Sequence, residues 1–128
     1  MKRFALTLGL LVLVAVSAAC SSAAGAQPPA SAGPVDPNAP VITAQGNAFS
    51  PASLTVKAGK AFTLTFDNKD AAPHNVAIFK DAIASEPVSI GEIVSSSSAT
   101  QQVPALAAAT YFFRCDVHKE MTGWIVAE

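Results

Sequence analysis

Hydrophobic and polar residues alternate along much of the chain from Val41 onward. Leu54 and Val56 flank Thr55, and Phe62, Leu64 and Phe66 are separated by Thr63 and Thr65. A period of two puts the apolar set on one face, so both runs predict half-buried strands. Ala58-Gly59 marks the turn between them, and the polar run 67–70 followed by Ala71-Ala72-Pro73 predicts a loop before His74. Further strands are predicted over residues 41–45, 75–79, 100–103, 110–115 and 122–127. Residues 88–94, interrupted by Gly91, are ambiguous and run into a serine loop at 95–98. No stretch here carries a 3.6-residue apolar period; the alanine run at 105–109 is short and follows Pro104. Short strands punctuated by turns predict an all-β sandwich or barrel.

Ahead of residue 41 the pattern is different. Lys2 and Arg3 precede an apolar run, Phe4 to Val16, that is shorter than the roughly 20 residues of a spanning helix. Residues 1–19 therefore read as a secretory signal, and the Lys-Arg pair in place of twin Arg favours export of an unfolded chain. Ser17-Ala18-Ala19-Cys20 is similar to a bacterial lipobox, in which Cys20 is acylated and becomes the new N-terminus. Ser17 stands where that pattern prefers Leu, Val or Ile. The competing site, Ala24-Gly25-Ala26 before Gln27, would release a soluble protein. Residues 20–40, rich in Ser, Ala, Gly and Pro, cannot bury a core and have the composition of a tether. The expected organisation is a signal at 1–19, a tether at 20–40 and one domain at 41–128.

Composition narrows the function. Eight Lys and Arg against nine Asp and Glu leave a net charge of −1, which suggests neither nucleic acid nor a strongly acidic substrate. With Cys20 acylated, Cys115 is the one thiol left outside the reducing cytosol, and metal ligation explains such a thiol well. A Cys20–Cys115 disulfide would close a long loop with little gain in order.

The stretch from Tyr111 to Gly123 concentrates the chemistry. Cys115, His118 and Met121 follow C-x2-H-x2-M spacing, and His74 is the only other histidine. The chain has two Met, two His and two Cys, of which one Met starts the chain and one Cys ends the signal. Singly, a Met or Cys is core filler and a His is a satisfied polar group. Together, a thiolate, two imidazoles and a thioether form the ligand set of a mononuclear copper centre used in electron transfer. Zinc takes Cys and His, but Met serves it poorly.

These residues resemble the cupredoxins, the type 1 (blue) copper proteins of the plastocyanin, amicyanin and auracyanin kind. The similarity runs from about Val41 to Glu128. It rests on Phe49-Ser50-Pro51 leading into Leu54-Thr55-Val56, Phe66-Asp67-Asn68 ahead of Pro73-His74-Asn75, and Val103-Pro104-Ala105-Leu106 before Tyr111-Phe112-Phe113 and the ligand loop. The resemblance implies a Greek-key β-sandwich with one copper. His74, Cys115 and His118 would be its equatorial ligands and Met121 its axial one. It also implies that Asn75, paired with Asp116, ties the two ligand loops together. The family exposes the edge of the loop histidine as its electron port. Many relatives place Pro directly after that histidine, whereas this chain has Lys119, either a charge at the docking surface or an ordinary solvated residue.

The resulting expectation is a monomeric, exported, non-enzymatic shuttle of single electrons between redox protein partners. It would be lipid-anchored through Cys20 on the extracytoplasmic face, or periplasmic or secreted if cleavage follows Ala26. The competing function is a copper carrier or storage protein, which would more often expose repeated Met or His runs. A binuclear copper site needs a second Cys in the loop, and a copper oxidase or reductase needs further histidines. Neither is available.

Overall fold

The computed structural model describes residues 39–128. The signal assigned to 1–19, Cys20 and the tether as far as residue 38 lie outside the described residues. Nine strands form the described part: β1 Val41–Ala44, β2 Phe49–Ser50, β3 Ser53–Val56, β4 Phe62–Asn68, β5 Ala77–Phe79, β6 Pro87–Ile90, β7 Ser98–Val103, β8 Ala109–Arg114 and β9 Thr122–Ala127. They make two mixed sheets, ordered β2-β1-β4-β7 and β3-β9-β8-β5-β6. No helix occurs among the described residues.

The threonine-spaced run behaves as its periodicity requires. Along β4, Phe62, Leu64 and Phe66 are buried while Thr63 and Thr65 are half-exposed. Facing residues of the other sheet, among them Leu54, Val56, Ile78, Tyr111, Phe113 and Ile125, complete one core. A smaller apolar group lies apart from it. Ala77, Phe79 and Phe112 pack with Ala84; Phe112 meets Trp124 edge to face at 5.2 Å, and the Arg114 guanidinium lies 4.9 Å from the Phe79 ring centroid. Arg114 thus shields this group with the stem and face of its own side chain.

Two features bring the ligand segments to one end. β1 and β4 are parallel, with Ala44 beside Asn68, so the β1–β2 turn and the loop after β4 emerge together. β8 and β9 are antiparallel, with Arg114 opposite Thr122, so residues 115–121 form a closed loop between them. Gly123 makes this pairing possible. It faces Phe113 across the ladder, and a Cβ there would collide with the Phe113 ring and come within 2.6 Å of the Ala52 carbonyl oxygen.

Several boundaries depart from the sequence pattern. β4 continues through Asp67 and Asn68, which read as loop because they are polar. Asn68 is nonetheless buried, and its amide donates to the carbonyls of Ala72 at 2.8 Å and Val94 at 2.7 Å. His74 does not open a strand. It pairs as an isolated bridge with Val94, and β5 begins only at Ala77. β7 starts at Ser98, inside the expected serine loop, because that residue pairs with Asp67.

Candidate metal centre

The loop after β8 holds itself together through its own backbone. Cys115 N–H donates to the Met121 carbonyl at 3.0 Å, and Met121 N–H donates to the His118 carbonyl at 2.9 Å. The seven-residue loop 115–121 is thereby folded back so that Cys115 and Met121 both enter the core, at 0% and 2% exposure. His118 lies between them and is half-buried, flanked by exposed Val117 and Lys119. The framework side is anchored differently: His74 and Val94 exchange both backbone hydrogen bonds at 3.0 Å.

Side chains from these two segments converge. His74, Cys115 and His118 each offer a ligand atom, and the three atoms lie within 4.8 Å of one another. The His74 Nδ1 is 3.7 Å from Cys115 Sγ and 3.1 Å from His118 Nδ1. Two ring nitrogens and a sulfur pointing at one spot, two of the three residues fully buried, match the needs of a cation better than those of a hydrogen-bond network. Two converging lone pairs repel unless a proton or a metal lies between them. Cys115 Sγ also accepts the His118 N–H at 3.4 Å, which ties the sulfur to the loop that carries His118. The donor set therefore fits copper, with Met121 buried beside the same loop as the thioether.

Asn75 and Asp116 form the connection around this cluster. Asn75 Nδ2 donates to Asp116 Oδ2 at 3.0 Å, and the Asp116 N–H donates to Asn75 Oδ1 at 2.9 Å. Asn75 Nδ2 also reaches the Gly91 carbonyl at 3.2 Å. The second oxygen of Asp116 lies 3.8 Å from Arg114 Nε. Such contacts orient ligands by fixing the loops that carry them.

Sequence reasoning passed over Asp70, which it placed in an undifferentiated polar loop. Its Oδ2 sits 3.3 Å from His74 Nε2, on the far side of the imidazole from the cluster. The Asn47 and Gly46 N–H groups, which bond this carboxylate at 3.0 and 2.8 Å, hold its pKa below the ordinary carboxylate value. The available signal was an acid four residues ahead of a candidate ligand histidine.

Comparison with known proteins agrees with this geometry. The family described as "Cupredoxin-like domain" matches residues 9–127, beginning inside the segment assigned to the signal. Plastocyanin A/B of Petroselinum crispum is 34% identical over 77 residues, covering 57% of this chain and 77% of that protein. Against the chloroplastic plastocyanin of Oryza sativa subsp. indica the identity is 35% over 74 residues, 55% of this chain and 47% of that one, so the chain spans about half that relative's length. In fold it is similar to auracyanin A, a "blue" copper protein from Chloroflexus aurantiacus (TM-score 0.64, 22% identity, 70% of this chain and 98% of that one). It is also similar to amicyanin from Paracoccus versutus (TM-score 0.56, 26% identity, 74% and 86%). Cupredoxins of these kinds carry a type 1 copper and are electron carriers, not enzymes. With the family match running over most of its length, the chain belongs to the cupredoxin-like domain family.

Proposed function

We propose that the protein is an exported one-electron carrier that holds a single type 1 copper through His74, Cys115, His118 and Met121. The observation that carries this reading is the convergence of His74 Nδ1, His118 Nδ1 and Cys115 Sγ within 4.8 Å. A copper ion bound there supplies one electron's worth of redox capacity by alternating between Cu(II) and Cu(I). The protein's part is to keep the donors in place while the charge changes. Cys115 and Met121 are held by backbone bonds within one loop, His74 by the sheet bridge to Val94, and the two segments by the Asn75–Asp116 pair. Buried ligands exclude water, which limits the reorganisation that accompanies each transfer. Half-buried His118 is the ligand nearest solvent and so the route by which an electron leaves. Around it, exposed Ala71, Pro73 and Val117 and the charge of Lys119 would meet a redox protein partner.

The domain boundaries are part of the same proposal. Residues 1–19 serve as the export signal, 20–40 as the tether and 41–128 as the copper domain, with Cys20 acylated and the domain monomeric. Mass spectrometry of the mature chain tests the anchor: a lipid on Cys20 supports it, and an unmodified N-terminus at Gln27 contradicts it.

The visible spectrum of the purified, copper-loaded protein tests the carrier function. Strong thiolate-to-copper charge transfer supports it. A colourless protein that binds only Cu(I) favours the copper carrier or storage reading instead.

A further inference from the structure

We infer that Asp70 is a positioning residue of the metal centre: held by the Gly46-Asn47 turn, its carboxylate fixes His74 in the tautomer that presents Nδ1 and sets a negative charge behind that ligand. The inference rests on the copper reading above and adds a residue and an electrostatic role to it.

His74 is fully buried, and its Nδ1 faces Cys115 and His118. A neutral imidazole that gives Nδ1 to a metal must carry its proton on Nε2. Burial then requires a partner for that proton. His74 Nε2 has no well-aligned hydrogen bond among the described residues, and the acidic atom beside it is Asp70 Oδ2 at 3.3 Å. Ligand histidines are commonly oriented through a carboxylate on the distal nitrogen.

What distinguishes Asp70 from a passing loop acid is how firmly it is held. Gln45 and Ala48 close a two-residue hairpin through backbone bonds at 3.0 and 3.3 Å. Both central residues, Gly46 and Asn47, have positive φ, at 62° and 56°, as a primed turn requires. That conformation turns their two N–H groups to one side, where they donate to Asp70 Oδ1 and Oδ2. The Asp70 N–H donates to Asn68 Oδ1 at 2.9 Å, and its carbonyl accepts from the Ser96 N–H at 2.9 Å and Oγ at 3.2 Å. The neighbouring cation, Lys69, pairs with Asp67 at 2.6 Å. Asp70 therefore joins the turn, the end of β4 and the loop before β7 to one ligand, and its charge is directed at His74.

That charge has a sign. A fixed carboxylate stabilises the more positive oxidised centre more than the reduced one, so Asp70 lowers the reduction potential. A merely structural acid would affect stability and leave the potential alone.

The test uses the full chain loaded with copper, comparing wild type with Asp70→Asn and Asp70→Glu by voltammetry. Alongside it, long-range proton–nitrogen NMR of the diamagnetic Cu(I) form reads the His74 tautomer. The expected result is an Nε2 proton on His74 in the wild type, exchanging slowly with solvent. Asp70→Asn should keep the blue colour and favour the reduced form about tenfold, a rise of ~59 mV for a one-electron couple. Asp70→Glu, which retains the charge, should stay nearer the wild type. An unchanged potential in a folded, blue Asp70→Asn protein overturns the inference while leaving the copper assignment intact. If Asp70→Asn does not fold, the wild-type tautomer decides: a proton on Nε2 supports the role, and a bare Nε2 overturns it. A wild-type chain that takes up no copper removes the copper reading and this inference with it.

Discussion

Asn75 and Asp116 grip each other twice, each donating one hydrogen bond and accepting the other, at 3.0 and 2.9 Å. They are adjacent in sequence to His74 and Cys115, so the pair spans the two segments that carry the ligands. Neither bond depends on a metal. The link between the two segments is made by protein groups alone.

Truncating that link should loosen the site and the fold together. Asn75 is 1% exposed, so Asn75→Ala leaves the Asp116 N–H without its acceptor in a buried place. The expected loss is about 1–3 kcal/mol, measured by denaturant unfolding of the metal-free protein. A loss seen only with copper bound would mean that the metal, and not this pair, holds the loops.

Gly123→Ala should be more damaging than a single methyl group suggests. The added Cβ would meet the Phe113 ring and the Ala52 carbonyl, and neither can retreat, since Phe113 is fully buried and Ala52 accepts the Trp124 N–H. Overpacking of this kind costs about 1–3 kcal/mol or more. Chemical denaturation gives the number, and stability equal to wild type would refute the close approach.

Met121→Leu separates packing from chemistry. The residue is buried and its two backbone hydrogen bonds do not involve the side chain, so a similarly sized Leu should cost less than about 1.5 kcal/mol. A weak thioether ligand mainly tunes the potential. The variant should keep its copper and show a raised potential by voltammetry. No shift, or loss of the metal, would count against an axial role.

The strand pattern was legible wherever one face of a strand meets the core and the other meets water. β4 is the clearest case, and β9 covers the residues 122–127 predicted for it. The ligand loop was legible for a different reason: the chain holds so few Cys, His and Met that their grouping stands out. What stayed hidden depends on partners distant in sequence. Phe49 and Ser50 form a strand only because the Gly46-Asn47 turn folds them onto Thr43 and Ala44. Asp67 and Asn68 join β4 because β1 and β7 flank them, which their polarity cannot indicate. Asp70 looked like loop because its roles are to accept two N–H groups from 23 and 24 residues away and to face a histidine four residues later.

Cys115→Ser removes the thiolate while changing little else. Cys115 is fully buried in the main core, and its loop is closed by its backbone N–H to Met121. The sandwich should fold, with far-ultraviolet circular dichroism like that of wild type, and the copper-loaded protein should have no blue colour. Retained colour would remove Cys115 from the site.

The central claim is a single copper–thiolate centre exchanging one electron, and a potentiometric titration followed at the thiolate-to-copper absorption band tests it most directly. With metal content measured on the same sample, the expected result is one copper per chain and a band that bleaches and returns reversibly along a one-electron Nernst curve. A copper-loaded protein with no such band, or one whose band titrates with more than one electron per chain, would contradict it.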